Sequence, residues 1–145
     1  MDAFVIEGGR PLKGRVEISG NKNGALPCLA ATLLTDEVVT LHNIPVIHDV
    51  LVMINLLKTL GSRVEWIGPN SLSIQTSSIE EMRSIVFPVE LVDAIRASIL
   101  LAGPMVARAR GISLPPPGGD VIGFRRLDTH FFAFEALGAL CEITP

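Results

Sequence analysis

The stretch that decides the fold runs from Val38 to Gln75 and reads VVTLHNIPVIHDVLVMINLLKTLGSRVEWIGPNSLSIQ. Its first part, Val38–Ile44, is rich in β-branched and apolar residues and is followed by a proline, which predicts a strand. Asp49 is placed to cap a helix whose apolar residues recur at helical spacing as far as Leu60. Gly61 predicts the end of that helix, because glycine readily adopts the left-handed conformation that ends helices.

The residues on either side complete a structural unit. Downstream, Arg63–Ile67 and Ser71–Gln75 flank the turn signal Gly68-Pro69-Asn70 and predict a hairpin. Upstream, Lys13–Ser19 alternates between polar and apolar residues and predicts a strand. Ala25–Leu34 then predicts an apolar helix with a proline in its first turn, where the missing N–H costs little. The unit therefore has the order β-α-β-α-β-β.

The same order recurs in the second half of the chain. The predicted elements there are a strand at Ile85–Phe87, a helix from Val89 to Arg108, and then Gly111–Leu114 (strand), Leu127–Leu137 (helix) and Leu140–Ile143 (strand). Val39-Thr40-Leu41 matches Ile112-Ser113-Leu114 at an offset of 73 residues, and Leu60-Gly61-Ser62 matches Leu137-Gly138-Ala139 at an offset of 77. We therefore predict an α/β (α+β) fold of two repeated units, about 13–76 and 84–145.

The second unit stops before its final strand. A repeat unit that cannot bury its own apolar face needs neighbouring units, and 48% of the residues here are hydrophobic. We therefore expect this chain to be a piece of a longer repeat protein.

Composition excludes several classes of protein. The net charge is −3 and only 19% of residues are charged, which argues against disorder and against nucleic-acid binding. The richest apolar stretch, Ile99–Ala107, is nine residues long, whereas a membrane span needs about 20. The N-terminus shows no basic cluster followed by an apolar run, so we expect no secretory signal and a cytoplasmic location. The cysteines, Cys28 and Cys141, lack metal-ligand spacing and are predicted to be core thiols.

Lys22 and Asn23 stand where a predicted strand gives way to a helix through glycine-rich turns. A helix N-terminus presents unpaired N–H groups and a partial positive charge, so an added lysine predicts an anion site. The alternative is that Asn23 caps the helix and Lys22 is simply solvated.

Arg96 lies within the apolar run Leu91–Ala107. Its alternative interpretations are an ion pair with Asp93, three residues earlier, and a ligand contact. The offset of 73 maps Asn23 onto Arg96, so both polar residues hold the same place in successive units. That correspondence favours a ligand cleft between units.

The long Pro- and Gly-rich loop Pro115–Arg126 is the other candidate region. Asp120 sits among glycines and apolar residues, a setting that would raise the pKa of a carboxyl group if the loop closed over a ligand. Arg125 and Arg126 offer forked donors for phosphate or carboxylate. The alternative is an ordinary exposed acid and two solubilising arginines, with Asp128 as the cap of the following helix.

Three stretches together resemble the enolpyruvyl transferase family. Residues 14–27 read GRVEISGNKNGALP, where the branch that acts on UDP-N-acetylglucosamine has GxVxISGAKNAALP. Residues 96–108, RASILLAGPMVAR, resemble its RASI…GP…AR stretch. Residues 118–130, GGDVIGFRRLDTH, resemble its loop PGGCxIGxRPVDxH. The matches occur in the family's order over essentially the whole chain.

The resemblance implies an inside-out α/β barrel of β-α-β-α-β-β units in two domains, with the active site between them. Residues 1–21 would contribute a strand segment to the other domain, and residues 22–145 would form an incomplete enolpyruvyl transferase domain. The implied reaction moves the enolpyruvyl group of phosphoenolpyruvate to the 3-hydroxyl of UDP-N-acetylglucosamine and releases phosphate. The remainder of the chain is an implied partner, whereas no metal or organic cofactor is implied.

The resemblance also implies roles for individual residues. Lys22 and Asn23 would contact phosphoenolpyruvate, Lys22 with a catalytic role, and Arg96 and Arg125 would hold anionic groups. The nucleotide would meet a segment made of Arg125, Arg126, Leu127, Asp128 and Thr129. Asp120 occupies the place of the family's mobile-loop cysteine and would be the proton donor. Because the antibiotic fosfomycin alkylates that cysteine, Asp120 implies fosfomycin resistance.

Two departures from the family pattern matter. Arg126 stands where the family usually has proline, and the aspartate assigned as the base for the sugar hydroxyl belongs to a later part of the family's longer chain. We therefore expect this chain to be inactive alone. The alternative functions are another enolpyruvyl transferase, such as the shikimate-pathway enzyme, and a non-catalytic binding module of the same fold.

Overall fold

The computed structural model describes residues 3–77, 82, 84–119, 123 and 126–143. In chain order, its helices and strands are α1 (Lys22–Ala31), β1 (Val39–Leu41), α2 (His48–Thr59), β2 (Arg63–Gly68), β3 (Ser71–Gln75), α3 (Val89–Asp93), α4 (Ala102–Ala109) and α5 (Asp128–Ala136). A 3₁₀ helix, Thr32–Leu34, extends α1, and another, Arg96–Leu101, leads into α4. The architecture is mixed helix and strand with a small sheet.

The sheet has the order β1-β3-β2, and both pairings are antiparallel. The register sets Val39 and Val64 on either side of Ile74, and Leu41 beside Leu72. Leu72 and Ile74 are fully buried, so this face of the sheet packs against the helices. The predicted hairpin is confirmed, whereas β1 is shorter than the predicted Val38–Ile44.

Helix α2 provides much of the core. Six of its residues are buried, namely Val50, Val52, Met53, Ile54, Leu56 and Leu57. The predicted end of the helix is confirmed, since Gly61 has φ +84° directly after the C-cap Leu60. The prediction that Asp49 caps α2 is wrong: the N-cap is Ile47, without a side-chain bond, and Asp49 lies in the first turn.

The ends of α2 and α5 repeat each other bond by bond. After α2, Gly61 N donates to Lys58 O at 2.9 Å and Ser62 N donates to Leu57 O at 3.0 Å. After α5, the equivalent bonds run from Gly138 N to Glu135 O and from Ala139 N to Phe134 O, both at 2.9 Å. Every donor and acceptor is displaced by the same 77 residues. The repeated sequence thus produces a repeated helix end.

The second unit departs from its predicted elements. Ile85–Phe87, Gly111–Leu114 and Leu140–Ile143 are not strands, and the predicted helix 89–108 is divided into α3, the 3₁₀ helix and α4. A strand needs a hydrogen-bonding neighbour, and no partner strand for these segments is present in the described part of the chain. The helix is interrupted where Ile95 is extended (φ −140°, ψ 138°), and Pro104 cannot donate to a carbonyl in the preceding 3₁₀ turn.

The N-terminal part also differs from expectation. Lys13–Ser19 is not a strand, and Val16 and Ile18 are 85% and 88% exposed, because the segment has no partner strand among the described residues. Helix α1 begins three residues earlier than predicted, which moves Pro27 from the first turn into the second. Cys28 is exposed, on the side of α1 away from the core, so its assignment as a core thiol is wrong.

One arginine joins the two units. Arg108 of α4 directs Nη1 at three carbonyl oxygens of the first unit: Leu33 (2.8 Å), Thr35 (2.7 Å) and Thr76 (3.2 Å). Two of these follow or end the helical segment after α1, where a cation is favourable.

In the described ranges, no helix is both long and apolar enough to cross a membrane.

Candidate functional site

The start of α1 is fixed by Asn21, not by Asn23. Asn21 is the N-cap with an extended backbone (φ −114°, ψ 157°), and its Oδ1 accepts a hydrogen bond from Gly24 N at 2.8 Å. An N-cap side chain reaches the amide three residues ahead, so only Asn21 has the correct spacing to Gly24. The predicted cap Asn23 instead lies one residue inside the helix, with an exposed side chain.

The chain just before α1 is held against the connection between β1 and α2. Gly20 N donates to Asn43 Oδ1 at 2.9 Å, and Asn43 itself has the left-handed φ of +57°. A Cβ at position 20 would collide with the Asn43 carbonyl oxygen, so glycine is required there. Asn70, in the turn between β2 and β3, also binds this connection, because its Nδ2 donates to Ile44 O at 2.8 Å.

Lys22 is the first residue of α1 and forms an ion pair across to α2. Its Nζ lies 2.9 Å from Asp49 Oδ2, and the two side chains are 45% and 30% exposed. Lys22 is therefore partly exposed to solvent and also paired with Asp49. The structure thus brings together Lys22, a predicted site residue, and Asp49, which the sequence suggested only as a helix cap. No local spacing rule links these two positions, since they lie on different helices.

The start of α1 combines a helix N-terminus with a lysine that is paired with an aspartate. Helix α1 has no acidic residue in its first turn and begins with a lysine. The N-terminal turn of α2 lies beside it, since Asp49 in that turn contacts Lys22. The Lys22 ammonium group, at the start of α1, and the Asp49 carboxylate, in the first turn of α2, are therefore in direct contact. Unpaired amide N–H groups and a cation are the features that bind phosphate or carboxylate.

Arg96 touches the glycine-rich loop. It is the first residue of the 3₁₀ helix that leads into α4, and its Nη1 donates to Pro117 O at 3.2 Å. Asp93, considered above as an ion-pair partner of Arg96, accepts a main-chain hydrogen bond from the loop: Gly119 N donates to Asp93 O at 2.7 Å. A Cβ at Gly118 would collide with Asp93. The start of the loop thus rests on the turn that carries Arg96.

The far end of the loop carries a second ion pair. Arg126 Nη2 lies 2.6 Å from Asp128 Oδ2, and its Nε donates to Asp128 Oδ1 at 3.1 Å. The prediction that Asp128 caps α5 is wrong, because the N-cap is Leu127 and Asp128 is the first helical residue. Leu127 and Asp128 are half-buried, and Thr129 is exposed.

Asp120 and Arg125, the remaining predicted site residues, lie outside the described residues. Of the others, Lys22 begins α1 and Arg96 begins the 3₁₀ helix that packs against α1. Arg126 and Leu127 precede α5, and Asp128 and Thr129 are its first two residues. Within the described ranges, no group of three or more His, Cys, Asp and Glu residues could hold a metal ion. A hollow of about 190 Å³ on the outer face of the sheet contains none of the predicted site residues.

Comparison with known families assigns the class of protein. Residues 6–144 match the family model described as EPSP synthase (3-phosphoshikimate 1-carboxyvinyltransferase). The chain belongs to the EPSP synthase family.

Its similarity to individual curated proteins is more specific. The chain is 50% identical over 142 residues to the UDP-N-acetylglucosamine 1-carboxyvinyltransferase of Treponema denticola, which covers 98% of this chain and 33% of that protein. It is 52% identical to the protein of the same name from Bradyrhizobium diazoefficiens (97% and 32% covered) and 48% identical to that of Treponema pallidum (96% and 32%). The chain spans about a third of the length of these relatives.

Proposed function

We propose that this chain is the N-terminal part of an enzyme that transfers the enolpyruvyl group of phosphoenolpyruvate to the 3-hydroxyl of UDP-N-acetylglucosamine. The product would enter peptidoglycan synthesis at its first committed step, in the cytoplasm, with consequences for cell shape and division. One observation carries the proposal. Over nearly its whole length, the chain is about 50% identical in sequence to relatives that are named for this reaction.

In this proposal, the start of α1 handles phosphoenolpyruvate. Lys22 supplies a cation at a helix N-terminus and Asn23 supplies an exposed amide one residue further on. A capped, well-anchored helix start holds such groups in place before the substrate arrives, and preorganised charges of this kind stabilise developing charge. The Asn21 cap and the contact of Gly20 with Asn43 support this role.

The loop and the start of α5 supply the second part of the proposed site. Arg96 and Arg125 hold anionic groups, and Arg126, Leu127, Asp128 and Thr129 meet the uridine nucleotide. The contact of Arg96 with Pro117 supports a direct link between an anion-binding side chain and the loop. Movement of the loop would then exclude water from the cleft.

The chemistry requires one acid and one base. A proton added to C3 of phosphoenolpyruvate leaves positive charge at C2, and the sugar hydroxyl adds there while losing its own proton to a base. Return of the C3 proton and departure of phosphate complete the transfer. We assign Asp120 as the acid and place the base, together with the other wall of the cleft, in the remainder of the protein.

The proposed architecture is the family's barrel of repeated units, with residues 1–21 in the other domain. Three observations support a chain that continues. Residues 3–19 are exposed and form no strand, and α5 has no buried residue. The relatives are also about three times as long. The complete enzyme is this chain joined to that remainder.

The competing acceptor is 3-phosphoshikimate, which the description of the matching family model names. Phosphate release from phosphoenolpyruvate by the complete enzyme, measured with each acceptor in turn, separates the two. We expect release with UDP-N-acetylglucosamine and only background with 3-phosphoshikimate or with no acceptor. The reverse preference would assign the shikimate-pathway reaction, and no release with either acceptor would indicate a binding module.

A further inference from the structure

The ion pair between Lys22 and Asp49 is poorly placed to serve stability alone. Its atoms are 2.9 Å apart, but the side chains are 45% and 30% exposed. Ion pairs at this level of exposure contribute little to folding, because water already solvates both charges well. A close pair at a proposed substrate site therefore suggests a different use.

The position of Lys22 is itself electrostatically unfavourable. A cation in the first turn of a helix faces the positive end of the helix dipole, whereas an anion there is stabilised. Lys22 occupies that place in α1, and Asp49 occupies the favourable place in α2. The lysine ammonium group stands on a flexible chain of four CH₂ groups, and it lacks the rigid, planar arrangement of donors that an arginine has. Left alone, the ammonium group would move away from the helix N-terminus and sample many rotamers.

We infer that Asp49 is a positioning residue that holds the Lys22 ammonium group at the phosphoenolpyruvate site. This inference rests on the proposed function of Lys22. An ammonium group has three N–H donors, so a bond to Asp49 is compatible with a simultaneous bond to a phosphate or carboxylate. Asp49 acts through Lys22 and needs no contact with substrate.

The kinetic consequence is a loss in turnover more than in binding. Neutralising Asp49 leaves the positive charge of Lys22 and removes a nearby negative charge, so attraction for the anionic substrate persists. What is lost is the placement of the ammonium group in the transition state, and misplacement by about 1 Å can cost about a hundredfold. We therefore expect kcat to fall much more than KM for phosphoenolpyruvate rises.

The test uses Asp49→Asn and Asp49→Glu in the complete enzyme, with Glu65→Gln as the matched control. Glu65 forms an exposed ion pair with Arg63 at 2.7 Å, on the sheet. We expect Asp49→Asn to lower kcat by about ten- to a hundredfold, with little change in KM for either substrate and a melting temperature close to wild type. Asp49→Glu keeps the charge and should recover part of kcat, whereas Glu65→Gln should match wild type.

Three results would overturn the inference. The first is a kcat for Asp49→Asn equal to that of Glu65→Gln. The second is a loss explained by a lower melting temperature, with normal kcat for the protein that remains folded. The third is Asp49→Glu no more active than Asp49→Asn, since the carboxylate would then have no role. If the wild-type enzyme releases no phosphate, the proposed function itself fails, and the inference fails with it.

Discussion

The two repeated units carry similar sequence patterns but reach different degrees of structure. In residues 22–76, α2 buries six side chains and is followed by a paired hairpin. In the second unit, α5 ends with the same hydrogen bonds as α2 yet buries none of its residues, and no strand follows it among the described residues up to position 143. Helix ends are therefore determined by the local sequence, whereas strands and buried helix faces depend on other segments that pack against them.

The same difference applies to the two parts of the proposed site. Lys22 stands on a helix anchored by Asn21, Gly20 and a buried core. Arg126 precedes α5 and Asp128 begins it; their side chains form an ion pair, but α5 has no buried residue. We infer that the first part is preorganised by the chain itself, whereas the second needs additional contacts.

The largest effect is expected at Asp120, in the loop of the second unit. Asp120→Ala in the complete enzyme should lower kcat by about 10²–10⁴-fold, the usual contribution of a positioned acid. Steady-state phosphate release measures this. Full activity in Asp120→Ala would remove the acid assignment and would leave the first unit as the sole source of catalytic groups in this chain.

A second substitution at the same position tests the resistance proposal. A carboxylate is a poorer nucleophile toward an epoxide than a thiolate. The wild-type enzyme should therefore keep its activity during incubation with fosfomycin, whereas Asp120→Cys should be active and lose activity with time. Rapid covalent inactivation of the wild-type protein would contradict the proposal.

Core substitutions compare the two units directly. Leu57 of α2 is fully buried and Phe132 of α5 is 64% exposed. In the 145-residue chain, Leu57→Ala should lower the free energy of unfolding by about 2–5 kcal/mol, and Phe132→Ala by less than about 0.5 kcal/mol. Urea unfolding followed by the fluorescence of Trp66, the single tryptophan, reports on the sheet of the first unit. Equal losses would show that the second unit is packed as firmly as the first.

Lys22→Ala tests the anion site of the first unit. Loss of a hydrogen bond from a charged donor typically costs about 1.5–3 kcal/mol, which is roughly ten- to a hundredfold in kcat/KM for phosphoenolpyruvate. The KM for the nucleotide sugar should change little. Lys58→Ala is the matched control, since Lys58 is exposed in the last turn of α2. An equal loss for both substrates would indicate a folding role for Lys22 instead.

The smallest effect is expected where the loop rests on the turn at Asp93. Gly118→Ala places a Cβ against Asp93 and should lower kcat/KM by a few fold, through a shift of the loop start. Gly103→Ala is the control, because no atom lies within 4 Å of a Cβ there. It should leave activity unchanged and raise the melting temperature slightly, since alanine favours a helix over glycine. Equal kinetics for the two variants would show that the loop start has no fixed position.

The sequence predicted α1, α2, α5 and the hairpin well, because their signals are local, whereas the predicted helix 89–108 is divided. Gly61, Gly138 and the turn at Gly68-Pro69-Asn70 lie where the structure has a helix end or a tight turn. The segments Lys13–Ser19 and Leu140–Ile143 are not strands, although both were predicted to be. A sequence pattern typical of strands is not sufficient, because a strand also needs a neighbouring strand to bond with.

The sequence singled out Lys22 and Arg96 as candidate site residues, but it did not predict the contacts that the structure gives them. Asp49, which pairs with Lys22, lies on another helix, and Arg96 donates to the main-chain carbonyl of Pro117, a contact that no side-chain pattern reveals. The caps were misassigned by one or two residues at each of three helices. Choosing among neighbouring Asn and Asp residues requires the backbone conformation, which local composition leaves open.

The central claim is that this chain belongs to an enzyme that places an enolpyruvyl group on UDP-N-acetylglucosamine. The most direct measurement is mass and NMR analysis of the products formed by the complete enzyme from phosphoenolpyruvate and UDP-N-acetylglucosamine. The account predicts one new species, heavier by a single enolpyruvyl group linked at the 3-hydroxyl, in amounts equal to the phosphate released. Unchanged nucleotide sugar after prolonged incubation with folded enzyme, or an adduct at a different oxygen, would contradict it.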